Sequence, residues 1–332
     1  MNHPLYGKTV LVTGADGFIG SHLCEQLVAL GAKVRAFCLY NSHGSWGWLD
    51  HASPDVRSSL DVRLGDVRDA RLVEDACRAT DVVFHLAALI AIPYSYVAPE
   101  SFVETNVRGT INVLEGARRA GTSRVVHTST SEVYGTPKHT PIRETHPLQA
   151  QSPYAATKVA ADQLALAWHA SYELPVVILR PFNTYGPRQS TRAVLPTMLA
   201  QLLARRDEIE LGRLDPKRDL TFVSDTVHGF IRAAVAPNVE GEVIQLGTGR
   251  AVSIGDLFEM ACKVTNHRAQ VRHDPRRMRP NASEVMILES DPTLARERLQ
   301  WEAVVTLEDG LRQTAEFIQA NPALYRTDYL HL

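Results

Sequence analysis

Residues 8–13, Lys-Thr-Val-Leu-Val-Thr, run directly into Gly14-Ala15-Asp16-Gly17-Phe18-Ile19-Gly20. The next segment, Ser21-His22-Leu23-Cys24-Glu25-Gln26-Leu27-Val28, carries apolar residues at helical spacing. An apolar strand, a glycine turn and a helix in that order form the context in which a Gly-rich stretch can cradle a dinucleotide. Gly14 permits the tight turn, Gly17 lets a pyrophosphate approach the backbone, and Gly20 lets helix and strand pack closely. Phe18 and Ile19, inside the motif, are counted with the cofactor contacts, and the N–H groups and partial positive charge of the helix N-terminus would face the phosphates. The spacing is Gly-x-x-Gly-x-x-Gly, so the rest of the chain has to carry the assignment with it.

It does so by repetition. Strand-like runs recur between helical ones at 8–13, 32–38, 60–64, 81–86, 123–129 and 175–180. Such alternation predicts an α/β fold, a doubly wound parallel sheet of Rossmann type covered on both faces. After Arg180 the rhythm breaks: 192–205 and 224–235 read as helices, 219–223 as a short strand, and Val243-Ile244-Gln245-Leu246 as one more sheet strand. The expected division is a dinucleotide-binding domain of 1–180 plus 219–249, and a smaller, discontinuous α/β lobe of 181–218 plus 250–332. A substrate would lie between them, at the carboxyl ends of the strands.

Composition narrows the class. A net charge of -2 in 332 residues argues against bulk nucleic-acid binding, and no run reaches the length of a membrane span. No signal peptide is evident, and Cys24, Cys38, Cys77 and Cys262 are scattered without metal spacing, so the expectation is a cytoplasmic protein with no metal.

The second strand should end on the group that reads an adenosine ribose. An acid there favours NAD, and a nearby Arg favours NADP. The chain reads Phe37-Cys38-Leu39-Tyr40-Asn41 and offers neither, which leans towards NAD with Asn41 as the ribose contact. Asp66 and Val67, after the third strand, are candidates for the adenine, although the same residues also read as an ordinary turn and helix cap. Leu86, Ala87 and Ala88 close the fourth strand, and the small side chains there would let a cofactor lie against the backbone. His85 reads as a core histidine, and Trp46-Gly47-Trp48 as a packed hydrophobic loop.

Further on, Ser152-Pro153-Tyr154-Ala155-Ala156-Thr157-Lys158 begins with a good N-cap and a good first helical residue. Tyr154 and Lys158 are four apart and share one helix face. A cation about 4 Å from a phenol, at an effective dielectric of about 20, favours the phenolate by about 4 kcal/mol before desolvation. Tyr154 would then take a proton from a sugar hydroxyl while hydride leaves the same carbon.

Taken together, Gly14-x-x-Gly17-x-x-Gly20, Thr130-Ser131-Glu132-Val133-Tyr134-Gly135, Tyr154-x-x-x-Lys158, Arg180-Pro181-Phe182-Asn183-x-Tyr185-Gly186-Pro187-Arg188 and Arg218-Asp219-x-x-x-Val223-x-Asp225 resemble the extended short-chain dehydrogenase/reductases, the NAD-dependent epimerase/dehydratase family acting on nucleotide-activated sugars. The stretches 40–50, 85–96 and 183–190 look most like the 4,6-dehydratases of N-acetylated sugars. The resemblance implies that Thr130 holds the sugar near its carbon-4 hydroxyl, that Glu132 works at carbons 5 and 6, that Tyr154 accepts the proton on oxygen 4, and that Lys158 tunes Tyr154 and binds the nicotinamide ribose. It places Ser131 against the substrate, where dTDP-glucose dehydratases carry Asp. It assigns Asn183, Arg188, Arg218 and Arg279 to the diphosphate and nucleoside, UDP or GDP, and implies a homodimer seam of four helices from residues near 101–119 and 153–171.

On this reading the product is a 4-keto-6-deoxy sugar. Two alternatives share the first oxidation: a nucleotide-sugar 4-epimerase, which needs no base at carbon 5, and a UDP-glucuronate decarboxylase, which needs a cation for the sugar carboxylate. A third, a catalytically silent cofactor-binding protein on the same fold, is opposed by Thr130, Tyr154 and Lys158 occurring together.

Overall fold

The computed structural model describes residues 3–326. Its strands are β1 (Thr9–Thr13), β2 (Lys33–Leu39), β3 (Leu60–Gly65), β4 (Val82–His85), β5 (Arg124–Thr128), β6 (Val176–Pro181), β7 (Asn183–Tyr185), β8 (Glu208–Leu211), β9 (Lys217–Phe222), β10 (Val243–Leu246), β11 (Ala251–Ser253), β12 (Gln270–His273) and β13 (Ile287–Leu288). Seven of them form one sheet in the order β10-β6-β5-β4-β1-β2-β3. Every pairing in it is parallel, as the alternation of strand and helix requires.

Side-chain alternation along the strands explains why both faces are covered. On β1, Val10 and Val12 join one core while Leu11 joins the other. On β2, Val34, Ala36 and Cys38 point one way and Phe37 the other. The Phe18–Ala29 and Val223–Val235 helices cover the first face through Leu23, Leu27, Val227 and Phe230. The second is closed by Ala70–Cys77, Gly109–Ala120 and Pro153–Tyr172, through Val73, Val113, Leu114 and Ala165. All four cysteines are buried and free. Among the described residues no helix is long and apolar enough to cross a membrane.

The remaining strands build the second lobe. β9 pairs with β11, β13 and β7, and β8 pairs with β12. The 219–223 strand, expected with the first domain, therefore lies in the smaller sheet, because it follows β7 out of the main one. The helix after it returns to the main sheet.

The order of the sheet reverses at β1, which has β2 on one side and β4 on the other. Ligands bind outside the carboxyl ends of strands at such a switch point. Gly14 follows β1 there at φ +68°, and a Cβ on it would come within 2.8 Å of the Ala87 nitrogen. Only glycine fits a turn pressed that closely against the end of β4.

Candidate active site

The glycine turn is held from both neighbouring strands. Gly14 and Ala15 donate their N–H groups to Phe37 O, at 3.1 and 3.3 Å. On the other side, the Leu86 and Ala87 N–H groups each donate to Thr13 Oγ1 at 3.2 Å. Gly17 is the N-cap of the twelve-residue Phe18–Ala29 helix and gives it no side-chain cap, so the first-turn amides keep no side-chain acceptor. An anionic group fits that helix start, and the small Ala87 and Ala88 floor lies beside it.

Tyr154 and Lys158 occupy the first turns of the Pro153–Tyr172 helix, which starts as its sequence predicts. Ser152 Oγ accepts the Ala155 N–H at 3.1 Å, and Pro153 is the first residue. Asn106 fixes this turn laterally. Its amide donates to Thr157 Oγ1 at 3.0 Å and to Leu89 O at 2.9 Å, and its oxygen accepts Leu89 N–H at 2.8 Å. Asn106 reaches both because the helix widens into a π turn over Val103–Arg108. The Tyr154 ring stands edge-on to Phe102, with centroids 6.3 Å apart.

One expectation is corrected here. Burial raises the Tyr154 phenol well above its ordinary value, and Thr130 opposes this with a hydrogen bond. The Lys158 ammonium does not bring it down, because it donates to the Thr128 carbonyl. Lys158 itself is pushed by burial down to about 8, against the pull of Asp162. Desolvation outweighs the pairing that spacing alone suggested.

Thr130 caps a short 3-10 turn, Ser131–Tyr134, accepting the Glu132 N–H at 3.2 Å. Ser131 is buried and Glu132 nearly so. From the second lobe, Arg279 brings Nη1 to 3.6 Å from Glu132 Oε1. That nitrogen is buried and has no hydrogen-bond partner. Arg218, buried beside them, donates to Glu284 Oε1 at 3.1 Å and feels the charges of both Glu132 and Arg279. The other arginines of the basic segment are spent on carboxylates: Arg272 on Glu210, and Arg276 and Arg277 on Asp274 and Glu210. Asn183, on β7, leaves a buried Oδ1 unsatisfied. Two guanidiniums and a carboxylate, with an unpaired buried guanidinium nitrogen among them, therefore meet near the phenol, a set that suits a charged or polyhydroxylated ligand.

Four other expected contacts, Arg188, Asn41, Asp66 and Val67, lie apart from this cluster. Arg188 is buried at φ +72°, donating to Ser21 Oγ at 3.1 Å and Glu25 Oε1 at 2.7 Å, so it clasps the glycine-turn helix. Asn41 spends its side chain on its own loop: it donates to Leu39 O and Ser45 O and accepts from His43 and Ser45 N–H groups. Both oxygens of Asp66 sit on Arg68, which holds that carboxyl below its usual range. Val67 is buried under Asn112 and Gly109. His85 is a core histidine bonded to Thr13 and Thr110.

Sequence reading passed over the support under the site. Asp162 is fully buried one helical turn beyond Lys158, and its Oδ2 accepts Ser129 Oγ at 2.8 Å and two Arg180 nitrogens at 2.9 and 3.1 Å. Its i+4 spacing from Lys158 was the available signal. Asn106 gave none, lying among other polar residues in Val103–Arg108.

Known proteins resemble this chain over most of its length. The family model described as GDP-mannose 4,6 dehydratase matches residues 11–314. A dTDP-glucose 4,6-dehydratase from Actinoplanes sp. is 38% identical over 258 residues, covering 76% of this chain and 80% of that protein. A UDP-glucose 4-epimerase from Mycolicibacterium smegmatis is 34% identical over 315 residues, covering 93% and 98%. Among solved structures, a double mutant of DesIV, a dTDP-glucose 4,6-dehydratase from Streptomyces venezuelae with NAD bound, superposes with a TM-score of 0.85 at 30% identity, covering 95% of this chain and 98% of that one.

Proposed function

We propose, from the premise that the chain belongs to the NAD-dependent epimerase/dehydratase family of short-chain dehydrogenase type, that it is an NAD-dependent nucleotide-sugar 4,6-dehydratase making a 4-keto-6-deoxy sugar. Dehydratases and epimerases resemble it at similar identity, so the finer reading rests on the site. The observation that carries it is Glu132, a carboxylate shielded from water beside Thr130, Tyr154 and Arg279. A 4-epimerase has no use for a base at that place; an elimination across carbons 5 and 6 needs one.

When bound, NAD supplies the acceptor for the carbon-4 hydride and the donor for carbon 6. Tyr154, ionised by the positive charge that NAD would bring against the burial, takes the proton from oxygen 4, with Thr130 holding that hydroxyl in place. The resulting ketone acidifies the hydrogen on carbon 5, which Glu132 removes. Glu132 can then pass the proton to the departing carbon-6 hydroxyl, a task that Ser131 cannot perform, and carbon 5 regains a proton, balancing the one that left oxygen 4, as hydride returns to carbon 6. Arg279 faces Glu132 across 3.6 Å, within reach of the same ligand. Arg218 and Asn183 are left to hold the diphosphate and nucleoside, UDP or GDP.

Arg279 also favours a second reading. A guanidinium with an unpaired buried nitrogen beside the sugar site is the cation that a uronate decarboxylase would need. One experiment separates the two. Purified protein is incubated with UDP- and GDP-hexoses, their N-acetylated forms and UDP-uronates, and products are followed by mass. Loss of one water from a hexose is the expected result. Loss of carbon dioxide from a uronate would support decarboxylation instead, and an unchanged mass with altered configuration would support epimerisation.

A further inference from the structure

We propose that Asp16, in the glycine turn, reads the adenosine ribose of the bound dinucleotide by accepting a hydrogen bond from its 2′ hydroxyl, and so selects NAD over NADP. The inference rests on the cofactor part of the reading above, not on which sugar reaction follows.

In this fold the ribose-reading acid ordinarily stands at the carboxyl end of β2. Phe37-Cys38-Leu39-Tyr40 has none. The structure brings one there from another element. Because Gly14 and Ala15 are both bonded to Phe37 O, the turn is laid across the end of β2. Asp16 then accepts the Leu39 N–H on Oδ2, at 3.4 Å. Among the described residues that is the one hydrogen bond its carboxylate accepts from a different residue, which leaves a half-buried group with capacity to accept more.

Its competitors are occupied. The four local bonds of Asn41 use its amide fully. Asp50 accepts Ser45 Oγ at 2.6 Å and the Trp46 N–H at 3.0 Å. The cations that could have met a 2′ phosphate are also held: Arg35 and Arg63 by Asp61, and Arg68 by Asp66.

The loop from Asn41 to Asp50 presses Asp16 into place. Trp48 donates its N–H to Asp16 O at 3.0 Å. Gly47 lies at φ +59°, and a Cβ there would stand 2.5 Å from Asp16 O and 2.9 Å from Asp16 Cβ. The Trp46-Gly47-Trp48 sequence is thus shaped to the back of this one residue. A phosphate on the 2′ position would meet the Asp16 charge where a hydroxyl would be welcomed.

Calorimetric titration of NAD and of NADP into the intact protein, freed of co-purified nucleotide, tests the assignment without any turnover. The wild type is expected to bind NAD at least about tenfold more tightly. Asp16→Asn keeps the size and the Leu39 acceptor but removes the charge, and Asp16→Ser shortens the side chain. Each is expected to shrink the NAD-to-NADP ratio by about tenfold, with an unchanged melting profile confirming the fold. Equal affinity of the wild type for the two nucleotides would overturn the proposal, whether or not the variants fold. So would folded variants that keep the wild-type ratio. A protein that prefers NAD through Asp16 but dehydrates no sugar would leave this inference standing and remove the dehydratase reading alone.

Discussion

Tyr154→Phe is expected to lower turnover by roughly 10²–10⁴-fold while leaving the binding of NAD and of the nucleotide sugar within a factor of a few. The substitution keeps the ring, its edge-on contact with Phe102 and its place among Ile92 and Phe102. What goes is the hydroxyl that meets Thr130 and that the proposed mechanism uses to accept the proton from oxygen 4. Glu132→Gln makes the informative partner, because the proposed mechanism has the two residues act on different carbons. Tyr154→Phe stops the sequence before the ketone, so no reduced cofactor accumulates in a single turnover. Glu132→Gln still permits oxidation at carbon 4, so the absorbance of reduced nicotinamide rises and then stays, with no water lost. Full dehydration by either variant would remove that residue from the mechanism.

The second large effect is on stability. Asp162→Ala is expected to cost about 3–5 kcal/mol, because it leaves charged partners buried without compensation. Arg180 is 3% exposed and Asp162 not at all. The carboxylate accepts two bonds from that guanidinium and one from Ser129, and it lies near the Lys158 ammonium. Arg180 also donates to the Tyr134 hydroxyl at 2.9 Å, which Gln245 engages from β10. One deletion therefore loosens β5, β6, β10 and the catalytic helix together. Ordinary domains have only about 5–15 kcal/mol in total. Urea unfolding of the variant against wild type measures the loss, and a change under about 1 kcal/mol would show that the network does not hold the fold. The same group sets an acid limit. Burial would raise the Asp162 carboxyl, but His127 and Arg180 bring it below its ordinary range. A carboxyl depressed in the folded state contributes stability above its unfolded value of about 3.9, and that contribution disappears as pH falls through the folded value.

Much of this was visible in the chain because it is local. The β1 run, the glycine turn and the helix after it are consecutive, so their order could be read directly. Tyr154 and Lys158 share a helix face by spacing, and Ser152 and Pro153 announce where that helix begins. What spacing could not convey was desolvation. It took the whole fold to bury Tyr154 and Lys158, and burial moved the phenol opposite to the direction that the pair alone suggested. Contacts between distant segments were equally hidden. Arg279 reaches Glu132 only because the second lobe folds over the first, and Arg188 turns to Glu25 because the loop after β7 crosses the glycine-turn helix. Asn41 looked like a ligand because it stood at the right strand end, yet its short side chain found four partners within its own loop. Asp16 was printed inside the most legible motif of the sequence, and only the register of β1 on β2 shows that it stands at the end of the neighbouring strand.

The central claim is that a hydrogen removed from carbon 4 returns at carbon 6 of the same sugar. A nucleotide hexose carrying deuterium at carbon 4, turned over by the wild-type protein, tests it directly. The account predicts a product lighter by one water whose new methyl group holds the deuterium. Deuterium found back at carbon 4, or lost to solvent while water is eliminated, would contradict it.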